Sequence, residues 1–274
     1  MKSIILSLLL LPIVTSCFAL NPSRTYKSTP EKFGMRYQNH KVKTTDGAEL
    51  NSWYFLAPYK TNKLLLISHN GEGNMGNYLR RVDVFVNAGF DVLIYDYRGY
   101  GNSSEFEIDP SMYIYPHFQM DLISMIQFCE RTLPGELYLY GWGIGAGLSL
   151  GVGFNQLNII KIVADTPFLS LEDLEPRLAG LEIPLEVPEA GYQKRHQPTL
   201  AFERASPGKL KSVYLMIGSH DPLFTVEDMK ELAEKQKNLV TSDIYVIENP
   251  GVKDNFRVDK SAYTRAVIKF LQEN

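Results

Sequence analysis

Short apolar runs alternate with amphipathic segments along most of this chain. Two runs flank the turn Thr45-Asp46-Gly47, which predicts an antiparallel pair of strands over residues 39–44 and 49–57. Six further runs are short and nearly all apolar, as expected of strands buried on both faces of a sheet. They cover residues 64–68, 92–95, 137–140, 159–164, 213–217 and 244–247. The pattern predicts an α/β domain with about eight strands, mainly parallel, and helices on both faces.

Prolines interrupt the chain between residues 170 and 207, where they would break any long helix. They are Pro176, Pro184, Pro188, Pro198 and Pro207. The pattern predicts a short cap over about residues 170–207, at the carboxyl ends of the strands, where sheets of this kind place their functional groups. A surface loop without a binding role is the alternative.

The first residues have the charge, length and apolar content of an export signal. Lys2 precedes an apolar run over residues 4–14, which is too short to span a bilayer. The sequence Val14-Thr15-Ser16-Cys17 follows, and it resembles the site at which bacterial lipoproteins are cleaved and lipidated. The resemblance implies a signal peptide over residues 1–16 and a lipid on Cys17.

Two other fates of the N-terminus stay open, namely cleavage after Ala19 by an ordinary signal peptidase and an uncleaved anchor. Residues 17–37 are polar and rich in proline, which predicts a tether between the membrane and a domain over residues 38–274. Phe18, in place of an aspartate after the lipidated cysteine, implies transport to an outer membrane in a Gram-negative host. We therefore expect an exported protein, lipid-anchored in the bacterial cell envelope and facing the periplasm.

The composition is that of a globular domain, with 45% hydrophobic and 22% charged residues. The formal net charge is −3 and the Lys and Arg residues are scattered along the chain, which disfavours nucleic acid as a partner. With Cys17 lipidated, Cys129 has no intramolecular disulfide partner, and its apolar surroundings indicate a core residue. No two histidines have the spacing of metal ligands, so we expect neither a metal nor a cofactor.

A glycine-rich turn carries the most informative pattern. The strand over residues 137–140 leads into Gly141-Trp142-Gly143-Ile144-Gly145-Ala146-Gly147 and then into a helix-like stretch. This order of strand, Gly-x-X-x-Gly and helix resembles the nucleophile elbow of the α/β-hydrolase superfamily. The central position, a catalytic serine in active members, is Gly143 here. Glycine adopts the positive φ of such a turn without strain, so the fold can survive while the attacking oxygen is lost.

Two earlier loops resemble the same superfamily. His69-Asn70-Gly71 is similar to the His-Gly-rich loop that supplies one amide of the oxyanion hole, with Asn70 where glycine is usual; Ile144 would supply the second amide. The segment from Asp96 to Ser103 is close to Asp-x-Arg-Gly-x-Gly-x-Ser and implies an architectural role. The resemblance extends from about residue 39 to the C-terminus and implies an α/β-hydrolase fold of the serine esterase and peptidase type.

The resemblance also locates the other two positions of a catalytic triad. The acid is Asp221, and the position of the histidine is taken by Lys253. The histidines of the chain lie elsewhere, at His40, His69, His117, His196 and His220. A triad needs an oxygen nucleophile, an imidazole and a carboxylate, and two of these are missing. We expect a catalytically degenerate member, a pseudoenzyme, that keeps a pocket for a small-molecule, lipid or peptide ligand or for a partner protein.

Other interpretations remain open. An active hydrolase of esters or amides could use Asp221, Lys253 and an activated water. Ser219-His220-Asp221 contains the residue types of a triad, but adjacent residues cannot align as nucleophile, base and orienting group. The turn over residues 141–146 also fits a dinucleotide-binding fingerprint with Asp165 as the ribose-binding acid, although several strands precede it.

Overall fold

The computed structural model describes residues 19–59, 61–204, 208–236, 240–249 and 254–273. The predicted signal peptide, Cys17 and Lys253 lie outside these ranges. The strands are β1 (Asn21–Pro22), β2 (Gln38–Lys43), β3 (Glu49–Phe55), β4 (Lys63–Ser68), β5 (Glu72–Gly73), β6 (Asp91–Tyr95), β7 (Glu136–Trp142), β8 (Ile159–Asp165), β9 (Ser212–Gly218) and β10 (Thr241–Ile247).

The helices are α1 (Leu79–Asn87), α2 (His117–Thr132), α3 (Ile144–Gly153), α4 (Leu171–Ala179), α5 (Pro198–Arg204), α6 (Val226–Glu234), α7 (Asn255–Val258) and α8 (Lys260–Gln272). Short 3-10 turns lie at Pro30–Phe33, Met75–Tyr78 and Lys194–His196. Within the described ranges, no helix is long and apolar enough to cross a membrane.

The central sheet has the order β10-β9-β8-β7-β4-β6-β3-β2. The pairs β2–β3 and β3–β6 are antiparallel, and the other neighbours in this sheet are parallel. This arrangement confirms the predicted mainly parallel sheet of eight strands. Its parallel strands direct their carboxyl ends toward one edge, where the glycine-rich turn follows β7.

Two apolar cores cover the two faces of the sheet. Along β4, Leu64 and Leu66 face the core shared with α2, α3 and α6, whereas Leu65 and Ile67 face the core shared with α1 and α8. All four side chains are at most 1% exposed. Successive strand residues point to opposite faces, so a continuous apolar run is what a strand buried on both faces requires.

Residues 19–37, for which the sequence predicted a tether, are packed against the domain in the structure. Leu20 is 1% exposed, and β1 pairs in parallel with β5. The rings of Tyr26 and Tyr37 both pack on Trp53, with centroids 4.8 and 5.7 Å away. The segment packs on the domain because a few of its side chains are apolar or aromatic and can be buried there, although most of its residues are polar. The packed domain therefore includes residues before the predicted boundary at residue 38.

The segment predicted as a cap contains α4 and α5. Leu174, Leu178 and Leu185 are buried there, and Glu186 exchanges backbone hydrogen bonds with Ser111 and Tyr113. Arg177 in α4 donates to the carbonyl oxygen of Leu223 (2.8 Å) and to Asp228 (2.7 Å). These contacts attach the segment to the loop after β9 and to α6.

The loop after β6 contains a buried ion pair, in keeping with the architectural role implied for Arg98. Nε of Arg98 donates to Asp121 (2.9 Å) in α2, and Nη1 donates to Asp46 (2.6 Å) in the β2–β3 turn. The side chains of Arg98 and Asp121 are 5% and 0% exposed. Burial raises the pKa of Asp121 to about 6, and the hydrogen bonds from Arg98 oppose that shift. One guanidinium thus joins three segments.

Replacing Arg98 with leucine is expected to lower the free energy of unfolding by about 3–5 kcal/mol, because Asp121 would remain buried without its cation. Urea denaturation at pH 7 measures this change. The matched control is Arg131→Leu, at an exposed position near the end of α2, which should stay within about 0.5 kcal/mol of the parent protein. Equal stabilities of the two variants would contradict the assignment.

Candidate functional site

The glycine-rich turn joins β7 directly to α3. Trp142 ends the strand, Ile144 begins the helix, and Gly143 between them has φ 56° and ψ −126°. The amide of Gly143 donates to the carbonyl oxygen of Asp165 at the end of β8 (2.9 Å). A non-glycine residue held at such a φ costs about 1–3 kcal/mol. The turn has the strand-to-helix geometry expected of a nucleophile elbow, with no side chain at its centre.

The flanking glycines are required by close backbone contacts. A Cβ atom on Gly141 would lie 2.2 Å from the carbonyl oxygen of Gly145. A Cβ on Gly145 would lie 2.1 Å from the carbonyl oxygen of Ser68, at the end of β4. Real carbon and oxygen atoms cannot approach so closely, so these two positions exclude any side chain. The glycine pattern thus serves the packing of α3 against β4, independently of a catalytic role.

Asn70 lies over the centre of the turn. A Cβ built on Gly143 would be 3.0 Å from Cβ of Asn70 and 3.7 Å from its Cα. Oδ1 of Asn70 accepts a hydrogen bond from the hydroxyl of Tyr78 (2.6 Å), which holds the side chain in place. A serine at position 143 would therefore be crowded by Asn70, and its backbone would be strained at this φ. Gly143 and Asn70, which both differ from the superfamily pattern, are therefore neighbours, and the absence of a side chain at position 143 leaves room for Asn70.

The structure brings together the two positions expected to line an oxyanion hole. The loop that carries Asn70 contacts the start of α3, since a Cβ on Gly71 would lie 3.1 Å from Cδ1 of Ile144. Within the described residues, the amides of Asn70 and Ile144 donate no hydrogen bond. A backbone amide without a partner inside the protein is available to an oxygen atom of a ligand.

The predicted acid, Asp221, lies in the turn after β9. Its Oδ1 accepts hydrogen bonds from the amides of Leu223 (2.9 Å) and Phe224 (3.0 Å). Burial raises the pKa of Asp221, and these amides oppose that shift. The carboxylate lies near Tyr113, whose pKa is raised by burial and then by the charge of Asp221. Asp221 is therefore oriented by the backbone and lies close enough to Tyr113 for its charge to act on that side chain.

Lys253, at the expected position of the histidine, is outside the described residues, but the two ends of its loop are described. Nδ2 of Asn249 donates to Oδ1 of Asn255 (2.7 Å). Nδ2 of Asn255 in turn donates to Oδ1 of Asp165 (2.7 Å), beside the glycine turn. Buried amide side chains thus connect this loop to the strand end next to Gly143.

Two of the five histidines, His69 and His196, are buried side chains with lowered pKa values. His69, directly before Asn70, is fully buried, and its Nδ1 accepts a hydrogen bond from the amide of Gly71 (3.1 Å). Burial lowers its pKa to about 3. His69 is consequently a neutral part of the loop. His196 is likewise buried, with its pKa lowered by burial to about 4.

Two of the three residues in Ser219-His220-Asp221 contact each other through their side chains, which the sequence did not predict. Oγ of Ser219 lies 3.0 Å from Nδ1 of His220. The same nitrogen lies 3.0 Å from the carbonyl oxygen of Asn249, which can only accept a hydrogen bond. If Nδ1 carries the proton for that bond, it cannot act as a base toward Ser219. Oδ1 of Asp221 is held by backbone amides instead, so the three residues are not aligned as a triad.

Asp165 proves to be a structural acid. It is 2% exposed, and its two carboxylate oxygens accept hydrogen bonds from Asn255 (2.7 Å) and from the hydroxyl of Tyr263 (2.8 Å). Burial raises its pKa to about 6, and these hydrogen bonds oppose the shift. A ribose-binding acid must be free to accept hydroxyls from its ligand. Both carboxylate oxygens of Asp165 already accept hydrogen bonds inside the protein. This argues against the nucleotide-binding interpretation, which needs Asp165 to bind a ribose.

The structure also describes the surroundings of Asp96 and Cys129. Asp96 is buried and accepts hydrogen bonds from the hydroxyl of Tyr26 and the amide of Met75 (2.7 Å). Burial raises the pKa of Asp96 to about 7. Cys129 is a buried free cysteine whose pKa is raised by burial, as for an unreactive core thiol. Within the described ranges, no group of three His, Cys, Asp or Glu side chains could hold a metal ion.

Comparison with known proteins supports the same architecture. The Pyrococcus furiosus esterase Pf2001 superposes with a TM-score of 0.71 and 21% sequence identity, over 93% of this chain and 97% of that one. This chain has the α/β-hydrolase fold. Residues 59–181, from before β4 into the cap, match the family described as serine aminopeptidase, S33. The match includes the glycine turn and Asn70 but ends before Asp221.

Two similar proteins come from yeasts. Protein bem46 of Schizosaccharomyces pombe is 28% identical over 158 residues, which cover 56% of this chain and 52% of that protein. The uncharacterized membrane protein YNL320W of Saccharomyces cerevisiae is 26% identical over 161 residues, covering 58% of this chain and 55% of that protein. The similarity thus spans about half the length of these two relatives.

The raised pKa of Asp165 predicts a pH dependence of stability. An acid that is harder to ionise when folded contributes stability below its unfolded pKa of 3.8 and loses it as the pH rises through about 6. This shift of about two units corresponds to at most about 3 kcal/mol. The advantage of the parent protein over Asp165→Asn should therefore shrink between pH 4 and pH 7. Urea denaturation across this range measures it, and parallel curves would contradict the assignment.

Proposed function

We propose that this chain is a membrane-anchored protein of α/β-hydrolase fold that does not act as a serine hydrolase and instead binds a ligand or a partner beside the glycine turn. The observation that carries this proposal is Gly143. The turn keeps the positive φ that presents a nucleophile in active enzymes, but it has no side chain. Asn70 occupies the neighbouring space.

The chemistry of acyl transfer explains why these changes matter. A serine hydrolase needs an oxygen that attacks the carbonyl carbon and an imidazole that accepts its proton. Removing either group alone lowers the rate by several orders of magnitude. Gly143 supplies no oxygen, and the sequence has Lys253 where the imidazole would stand. The free amides of Asn70 and Ile144 would still bind a carbonyl or carboxylate oxygen, which favours a retained binding role.

An active hydrolase with a non-standard residue set is the second candidate. The observation in its favour is that Asp221 keeps an oriented carboxylate at the carboxyl edge of the sheet. With Lys253 and an activated water, it could act on an ester or an amide. The similar proteins described as an esterase and as serine aminopeptidases have these substrate classes in their names.

Anchoring through a lipid on Cys17 forms part of the proposal. The apolar run over residues 4–14 and the small residues before Cys17 support it. A relative described as a membrane protein is in keeping with this location. We place the chain in a bacterial cell envelope, at an outer membrane on its periplasmic side in a Gram-negative host. No cofactor is required, and the ligand class is a small molecule, a lipid or a peptide.

The catalytic proposal is tested with a fluorophosphonate probe and with p-nitrophenyl esters of short and long acyl chains. The purified protein is expected to show neither labelling nor turnover. Turnover that Asp221→Ala abolishes would support the non-standard hydrolase. Turnover by the pure protein that no substitution near the turn alters would indicate a distant site, and it would contradict both candidates.

Rebuilding the triad tests the same proposal in the opposite direction. Gly143→Ser alone should give no strong activity, because the serine meets Asn70 and has no imidazole. The triple variant Asn70→Gly, Gly143→Ser and Lys253→His should gain ester hydrolysis, and adding Asp221→Ala should lower that rate by roughly 10⁴-fold. Strong activity from the single variant would mean that the histidine has been placed wrongly.

Replacing Cys17 with serine tests the anchor. The variant should lose the acyl mass on its N-terminal peptide and leave the membrane fraction, because no thiol remains to be lipidated. Cys129→Ser, at a buried position, is the matched control and should keep both the mass and the location. An unmodified N-terminus at Leu20 in the parent protein would instead indicate ordinary secretion.

A further inference from the structure

A cluster of cations marks the N-terminal part of the described chain. We define the N-terminal face as six side chains that are all exposed to solvent: Arg24, Lys27, Lys32, Arg36, Lys41 and Lys43. Between residues 19 and 43 the sequence contains a single acid, Glu31, although the whole chain has a net charge of −3. Although Lys and Arg residues are scattered along the whole chain, this segment carries six of them against one acid.

Contacts within the fold bring these cations to one side of the molecule. Nη1 of Arg24 donates to the carbonyl oxygen of Ser103 (2.7 Å), and Nζ of Lys41 donates to that of Asn102 (2.5 Å). Nζ of Lys32 donates to the carbonyl oxygen of Lys27 (3.0 Å). Because Tyr26 and Tyr37 both pack on Trp53, the chain between them folds back on itself. Lys43 lies two residues after Lys41 in β2 and so points the same way.

Most of this charge is not neutralised inside the protein. Glu31 accepts a hydrogen bond from the hydroxyl of Tyr37 (2.7 Å), and Glu49 lies 3.4 Å from Nζ of Lys41. Among the described residues, no carboxylate forms an ion pair with the other five cations of the face. The N-terminal face therefore presents its charge to solvent or to a partner.

An exposed aromatic side chain lies within the same face. Phe33 is 42% exposed and follows Lys32 in the 3-10 turn Pro30–Phe33. An aromatic ring flanked by cations suits a bilayer surface, where the ring enters the interface and the charges meet lipid phosphates. Nucleic acid would match the charge equally well, but a single aromatic on a turn offers no stacking surface along a strand.

We propose that the N-terminal face lies on a bilayer that contains anionic lipids. Each Lys or Arg near such a surface adds favourable electrostatic energy. The apolar run over residues 4–14 directly precedes this face in the sequence. Asn21 already belongs to the domain, and four residues of chain place it within about 14 Å of Cys17. The orientation, though not the binding, rests on the proposed anchor at Cys17.

The N-terminal segment also contacts the loop beside the glycine turn, since a Cβ on Gly71 would lie 2.7 Å from Cδ2 of Leu20. With the N-terminal face on a bilayer, this contact would bring the loop beside Gly143 near the lipid. An amphiphile drawn from the bilayer is the ligand class that such a position would favour.

Vesicle flotation of the chain from Ala19 onward tests the binding without the anchor. Both apolar cores lie within residues 20–271, so this chain retains its whole packed interior. Vesicles of phosphatidylcholine mixed with phosphatidylglycerol should bind the protein, and vesicles of phosphatidylcholine alone should not. Binding should weaken at high ionic strength, because salt screens exposed charges. Equal binding to both vesicles, or to neither, would overturn the proposal.

Two matched quadruple variants locate the surface. Lys27, Lys32, Arg36 and Lys43 changed to Gln should lower vesicle affinity by at least about tenfold. Lys209, Lys230, Lys260 and Lys269 changed to Gln remove the same four charges from other exposed positions and should bind as the parent protein does. Equal losses in the two variants would show an effect of net charge and would overturn the proposal.

Further measurements identify the kind of partner and test the lipid anchor independently of the N-terminal face. Phe33→Ala should lower vesicle affinity several-fold without changing its dependence on salt, because the ring carries no charge. Binding to a single-stranded oligonucleotide but not to anionic vesicles would reject a membrane partner. The acyl mass on Cys17 in the full chain is measured separately, so failure of the anchor and failure of the N-terminal face are distinguishable.

Discussion

The tight turn between β7 and α3 is the constraint on which the site and much of its surroundings depend. Helix α3 can begin one residue after the strand because Gly141 and Gly145 allow backbone atoms to approach closer than any side chain permits. The same helix has Gly147 against the ring of Phe168 and Gly151 against the carbonyl oxygen of His196. The glycines of α3 therefore allow the helix to pack closely against the sheet, the cap and the neighbouring loops.

This packing explains why the fold does not depend on a side chain at the centre of the turn. The hydrogen bond from Gly143 to the end of β8 and the amide bridges from Asp165 to Asn255 and Asn249 use no atom of a serine side chain. Glycine also removes the strain that a larger residue would impose at φ 56°. The fold therefore needs no side chain at position 143, and Asn70 lies over the centre of the turn.

Two regions join the site to the rest of the molecule. The N-terminal segment packs Leu20 on the loop that carries Asn70, and Tyr26 reaches the buried Asp96. In the cap, Arg177 donates a hydrogen bond to the carbonyl oxygen of Leu223, two residues after Asp221. The N-terminal segment and the cap are far apart in the sequence, and both contact loops that follow strands of the sheet.

The sequence by itself determined the strands, the mainly parallel sheet and the glycine turn, because each depends on patterns within a few residues. Apolar runs predict buried strands, and Gly-x-Gly-x-Gly between a strand and a helix predicts a sharp turn. The tertiary structure decided what distant residues do together. The bridge from Asp165 to Asn255 joins residues 90 positions apart. The fit of Asn70 over Gly143 arises because the order of the sheet places β4 beside β7. Residues 19–37 looked like a tether because their buried side chains are few and irregularly spaced. Only the folded domain supplies the surface that buries these side chains. The packing of this segment on the domain also brings the cations of the N-terminal face close together.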